Sequence, residues 1–212
     1  IYYFTAIVSG FLGKPGGPRG AGMRAAKIVL PRNYCKLVYS RLKKYEIDMF
    51  TMADRFGLRA VEPDDIPVIC GFPQGADELF WMFPSADYPL DAGQLMAAIE
   101  TRSDSTVVLY DGRVAGFANF YKVKPGKFCA VGNVIVDPAL RGRGVAAFLV
   151  SGMEKLAVSK YSAKEISISC FSRNKKAVSL YTRLGYTPYD LERRADKQGG
   201  EALLIKMKKA VR

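Results

Sequence analysis

The sequence predicts a single α/β (α+β) domain with a mixed, mainly antiparallel central sheet of six to seven strands flanked by helices. Three observations carry that prediction. The β-rich runs Ser105–Tyr110, Arg113–Tyr121 and Phe128–Val136 follow one another across the turn dipeptides Asp111-Gly112 and Pro125-Gly126, so they read as consecutive antiparallel strands. A long segment with helical spacing separates them from Glu165–Phe171, which alternates as a strand does. The chain then closes on Tyr186–Leu191 and Ala202–Lys208, two apolar runs with a polar turn between them.

The elements can be justified in order. Residues 1–51 hold an apolar patch, Ile1 to Leu12, then a Gly/Pro break from Gly13 to Gly20, and then a basic stretch without clear periodicity. No positive charge precedes the apolar patch, so it lacks the layout of a signal peptide. At Met52 the composition changes to that of an ordinary globular domain. The expected organisation is a basic extension over 1–51, outside the native domain, and a functional domain over 52–212. A basic targeting or docking arm is the alternative for the first part.

Leu58–Glu62 reads as a short strand. Pro63–Cys70 starts as a helix with Pro and acids in its first turn, which suits the positive end of the helix dipole. Ala76–Pro84 reads as a short aromatic-rich helix and Pro89–Arg102 as a longer one carrying Leu90, Leu95, Met96 and Ile99. Past the three strands, Val145, Phe148, Leu149, Met153 and Leu156 form one apolar stripe of about four turns. Asn174 is a suitable N-cap for a helix whose Ala177, Leu180, Tyr181 and Leu184 share a face, and Gly185 can end it.

Composition removes several chemistries. The chain has 212 residues, 49% hydrophobic, and no apolar run of the ~18 residues needed to span a bilayer. It contains no histidine, which excludes Ser-His and Cys-His nucleophiles and removes the commonest zinc ligand. Cys35, Cys70, Cys129 and Cys170 are widely spaced, so neither a disulfide framework nor a metal site is suggested, and free thiols in the cytoplasm are expected. The net charge is +12; residues 1–51 hold nine Lys or Arg and two acids, net +7, and the remainder holds twenty-three and eighteen, net +5. Such a balance points to an anionic ligand; nucleic acid rests on charge alone and is not expected.

The chemistry concentrates in Val134–Val150. An apolar strand stops at Asp137-Pro138, crosses the loop Arg141-Gly-Arg-Gly-Val-Ala146 and restarts as a helix. Two glycines let the backbone curl so that its N–H groups approach an anion closely. At a helix start these amides are unpaired and the dipole is positive, a ready phosphate site to which Arg141 and Arg143 add charge.

These residues resemble the GNAT superfamily of acyl-coenzyme A-dependent N-acetyltransferases. The loop is similar to that family's Arg/Gln-x-x-Gly-x-Gly/Ala pattern, and Asn174…Tyr181…Gly185-Tyr186 follows at the family's separation. The resemblance covers residues 57–209 and is local, in the C-terminal half, to ribosomal-protein N-terminal acetyltransferases. It implies a sheet with splayed strands at the cofactor cleft, and an N-acetyltransferase domain over 52–212 that uses acetyl-CoA without a metal. Ile135, Val136 and Asp137 would hold the pantetheine arm. Arg141 and the loop from Arg143 through Gly144, Val145, Ala146, Ala147 and Phe148 would bind the pyrophosphate. Asn174 would reach the arm, and Tyr181 would be the general acid at the sulfur. The acceptor would be a primary amine, small molecule or peptide N-terminus, and a homodimer is compatible with the pattern.

The general base stays unassigned. Where related enzymes carry a glutamate this chain has Ser169, and where others carry a carboxylate on the fourth core strand it has Asn133. Glu62, a water chain or an already neutral amine remain as bases. A non-catalytic acyl-CoA-binding or sensing module stays open beside the enzyme. Acceptor recognition is expected within Phe72–Leu95, including Phe80–Phe83 and Asp87–Leu90.

Overall fold

The computed structural model describes residues 55–197 and 199–212. The expectations for residues 1–51, for Met52 and for Cys35 fall outside the described residues. Seven strands form one sheet: β1 (Phe56–Ala60), β2 (Ser103–Tyr110), β3 (Arg113–Lys124), β4 (Phe128–Val136), β5 (Glu165–Phe171), β6 (Thr187–Ala195) and β7 (Glu201–Ala210), in the order β1-β2-β3-β4-β5-β7-β6. Every neighbouring pair is antiparallel except β4 and β5. The helices are α1 (Ile66–Cys70), α2 (Ala76–Met82), α3 (Ala92–Thr101), α4 (Val145–Tyr161) and α5 (Lys175–Arg183).

The middle strands are apolar on both sides because both faces are covered. Val108, Ala118, Val131 and Ile166 pack with Leu149, Val150 and Met153 of α4. Their neighbours in sequence, Val107 and Phe117, point the other way and pack with Ile69, Leu79 and Leu95 of α1 to α3. Three helical expectations shift at their ends. Pro63–Cys70 divides into a 3-10 turn over Pro63–Asp65 and α1. The third helix starts at Ala92 because Asp91 caps it by accepting from the Gln94 N–H at 2.8 Å. Gly185, with φ of 88°, stands one residue past the Leu184 C-cap, the position at which a left-handed glycine ends a helix. The first strand lies two residues earlier than predicted.

Two features of β4 position the site. The register runs Phe117↔Ile135 and then Asn119↔Gly132, so three residues of β4 oppose two of β3. The extra residue is a bulge at Asn133, whose φ is 50°. The parallel pairing with β5 stops at Val131↔Ile168, two residues before that bulge. From Gly132 to Val136 the edge of β4 that faces β5 therefore has no strand partner, and the two strands splay as expected.

The chain leaves β4 through a short cap. Asp137 accepts from the Ala139 N–H at 2.9 Å and starts the turn Pro138–Leu140. The loop reaches α4 through Gly142 and Gly144, at φ of 79° and 86°. Among the described residues Cys70, Cys129 and Cys170 are free, and no helix is long and apolar enough to cross a membrane.

Candidate active site

Where β4 and β5 part, a cleft of about 1360 Å³ opens between α2, α4 and α5. That exceeds the roughly 300–1,000 Å³ of ordinary small-molecule pockets, so it can take a long ligand together with a second reactant. Its wall contains most of the residues singled out in the sequence: Ile135, Val136, Arg141, Gly144, Val145, Ala146, Ala147, Asn174 and Tyr181. Residues more than forty positions apart are thereby brought to one gap.

One end is the head of a helix with unpaired amides. Gly144 is the N-cap of the seventeen-residue α4 and offers no side-chain cap. The first backbone bond into this helix runs from the Phe148 N–H to the Gly144 carbonyl at 3.0 Å. The amides of Val145, Ala146 and Ala147 before it have no acceptor among the described residues, as a helix start dictates. A Cβ built on Gly142 would meet nothing within 4 Å, so the space before the loop is open.

Three of the singled-out residues stand outside the cleft wall. The Phe148 amide is committed to the helix and its ring stacks on Phe56 at 4.6 Å, toward the core. The Asp137 amide donates to the Ala115 carbonyl at 2.9 Å while its carboxylate caps the next turn. Arg143 is exposed beside the wall. Arg141 lines the cleft, but its guanidinium forks onto Glu78 at 2.6 and 2.9 Å, and its Nε donates to the Val136 carbonyl at 3.4 Å. The sequence carried no signal for Glu78, which reaches Arg141 from α2.

Asn174 and Tyr181 lie on the far wall, on α5. The Asn174 carboxamide oxygen accepts from the Ala177 N–H at 3.1 Å, so the residue caps its helix and faces the cleft together. Tyr181 is 4% exposed, belongs to the main core and still lines the cleft. Burial, with a smaller contribution from Cys170, raises its hydroxyl pKa above the usual tyrosine value. The hydroxyl therefore stays protonated through the physiological range. Burial likewise pushes the Cys170 thiol up to about 11, so it is no nucleophile near neutral pH.

The other end of the cleft is formed by Trp81, Met82 and Pro84 with Arg102, Tyr121, Gly132 and Asn133. The expected recognition segment thus divides. Trp81 and Met82 reach the cleft, Phe80 stacks on Phe171 at 4.5 Å, and Leu90 and Leu95 close the core. Asp87 pairs with Lys197 at 2.5 Å. Two acids line the cleft among the described residues, Asp77 and Glu78, and the Arg141 fork holds the Glu78 carboxyl below its usual pKa. Glu62 is exposed, 3.7 Å from Arg59, and not in the wall, whereas Ser169 is.

A mixed sheet thus parts between two parallel strands, with a glycine-lined helix head at the gap and a buried tyrosine opposite. Residues 74–186, just over half of the chain, match the acetyltransferase (GNAT) family, and the chain belongs to that family. No curated protein matches the sequence significantly. Among solved structures it is similar to a spermidine N-acetyltransferase from Vibrio cholerae in complex with CoA and spermine, with a TM-score of 0.63 and 17% identity over 74% of this chain and 96% of that one. A GCN5-related N-acetyltransferase from Kribbella flavida has a TM-score of 0.60 and 24% identity over 75% and 99%. The yncA protein of Salmonella typhimurium, solved with its cofactor acetyl-CoA, has a TM-score of 0.58 and 20% identity over 74% and 94%. At these identities the likeness establishes the fold.

Proposed function

We propose that residues 52–212 transfer an acetyl group from acetyl-CoA directly to a primary amine in the cytoplasm. The observation that carries this reading is the shared cleft: unpaired amides at the head of α4, the free edge of β4 and Tyr181 all border one gap. The site fits acetyl-CoA by its own chemistry. The open space before Gly142 and the unpaired amides suit a pyrophosphate, and an unpaired strand edge suits an amide-bearing arm.

Acetyl-CoA supplies the acetyl group as a thioester. The amides of Val145 to Ala147 hold the phosphates, and the edge of β4 near Val136 orients the arm and polarises the carbonyl. Tyr181 keeps its proton and offers it to the departing sulfur. Among the described residues two acids line the cleft, the exposed Asp77 and Glu78, which is tied to Arg141, while Asn133 and Ser169 occupy the places where related enzymes carry acids. No base is assigned: the amine loses its proton to water or arrives neutral, and alignment of the two reactants supplies most of the acceleration.

The test is thiol release from acetyl-CoA across a panel of amines. Release that depends on an amine, with the acetylated amine identified by mass, upholds the reading. Tight acetyl-CoA binding with no release on any amine would sink it in favour of a sensing module. Equal rates for the full chain and for a protein beginning at Met52 would place the activity in 52–212; a loss would give the first part a role.

A further inference from the structure

Among the described residues Arg102, in the wall of the cleft, is a cation without a carboxylate partner. It follows α3 and is half-buried. Its Nη1 donates to Asn133 Oδ1 and, at 3.3 Å, to Asn119 Oδ1. The Asn119 amide donates to Asn133 Oδ1 at 3.0 Å, and the Asn133 amide donates to the Met82 carbonyl at 3.1 Å. Asn119 is fully buried and Asn133 is 3% exposed, so the network is built, not incidental. One face of the guanidinium lies over the Phe83 ring at 5.4 Å. Nη2 and Nε make no hydrogen bond among the described residues, and no carboxylate pairs with this arginine.

A guanidinium taken partly out of water without a counter-ion is costly, and burial lowers its pKa accordingly. A buried asparagine pair holding Nη1 in place leaves a planar two-donor edge for the cleft, the geometry that binds a carboxylate through two parallel bonds. The position is separate from the phosphate site. Asn133 lies three residues before Val136, about 10 Å along the strand at ~3.3 Å per residue, away from the α4 loop. The wall is unsuited to a polycation: eight Lys or Arg, Arg102 among them, face two acids, and one of those acids is bound to Arg141.

Resting on the acetyl-transfer reading, we infer that the acceptor is an amine that also carries a carboxylate, an amino acid, whose carboxylate docks on Arg102 while Asn119 and Asn133 position that side chain. Trp81, Met82 and Tyr121 supply the apolar wall beside it.

The experiment compares acetylation of L-methionine, L-phenylalanine and L-leucine with the same amines lacking the carboxylate, and with spermidine. A second set, β-alanine, 2-aminoethylphosphonate and taurine, separates a carboxylate from other oxyanions. The expected result is a kcat/KM about 10- to 100-fold higher for each amino acid than for its decarboxylated partner, the size of a charged hydrogen-bond pair. Arg102→Gln should bring that ratio to about 1 by raising KM for the amino acid, with KM for acetyl-CoA unchanged, and Arg102→Lys should recover part of it. Equal rates on acids and amines in the unsubstituted protein would overturn the assignment, as would preference for the phosphonate or an unaltered ratio in Arg102→Gln. If acetyl-CoA binds but no amine is acetylated, the proposed reaction has failed. Calorimetry of the CoA-loaded protein with L-methionine then decides the anion site: binding that Arg102→Gln abolishes supports it, and absence of binding removes it.

Discussion

Tyr181 is a core residue and a cleft residue at once, and its two roles make separable predictions. Tyr181→Phe keeps the ring and its packing, so the melting temperature should change little. If its proton serves the departing sulfur, kcat should fall by about 10²-fold, the lower range of general acid catalysis. Burial raises its pKa, so the protonated form persists to higher pH than in an ordinary tyrosine. The rate should rise with pH as the amine loses its proton, without a fall below about pH 10. A fall near neutral pH in the parent that Tyr181→Phe removes would refute this. Asp65 works on stability instead. It is 3% exposed, accepts two bonds from Arg59 at 2.6 and 2.8 Å and one from the Glu62 N–H at 2.8 Å. The Arg59 bonds hold its pKa below the usual aspartate value. A depressed folded pKa contributes stability that is complete above the unfolded value of ~3.9 and is lost as pH falls through the folded one. Unfolding free energy should lose this contribution only below about pH 4, and Asp65→Asn should cost about 2 kcal/mol at pH 7 and less in acid. Denaturant titrations at pH 7 and pH 3 measure both.

At the scale of elements, the bulged and splayed β4 is the part that converts a sheet into a site. Gly116 of β3 lies opposite Val136, and a Cβ there would stand 2.8 Å from the Ile135 carbonyl oxygen and 3.0 Å from Val108 Cγ1. Since one contact is backbone, relief requires β4 itself to shift. Gly116→Ala should destabilise the fold by about 1–3 kcal/mol and raise KM for acetyl-CoA as well, read from unfolding curves and steady-state kinetics. The α4 loop is more tolerant of bulk but not of charge. Gly144 needs its positive φ and has only Phe56 at 4.0 Å beyond a Cβ. Gly144→Asp would put an anion at the helix head, and the dissociation constant of acetyl-CoA should rise at least about tenfold. Gly142→Ala, strained at a φ of 79° but uncharged and unobstructed, separates the backbone cost from the electrostatic one.

For the whole molecule, charge and cleft act together. The chain carries a net +12, and the cleft wall is strongly cationic. A field of that sign raises the local concentration of a multiply charged anion and is screened by salt. KM for acetyl-CoA should therefore increase several-fold between 50 and 500 mM salt while kcat stays nearly constant. A flat KM would mean that backbone amides alone set the affinity.

The order of elements, the glycine loop before α4 and the cap and apolar face of α5 were legible in the amino-acid sequence because each is a local pattern. Turn dipeptides separate the strands, apolar residues recur at helical spacing in α4 and α5, and glycine supplies left-handed backbone at residues 142, 144 and 185. Capping by Asn174 spans three residues and needs no distant partner. The tertiary structure alone decided what closes the cleft. Glu78 meets Arg141 across 63 positions, and Arg102 meets Asn133 across 31. Such pairs depend on where helices pack and where a strand bulges, not on any period along the chain. For the same reason Asn133, which in sequence is merely the place where an acid is missing, becomes in the fold the anchor of a cation.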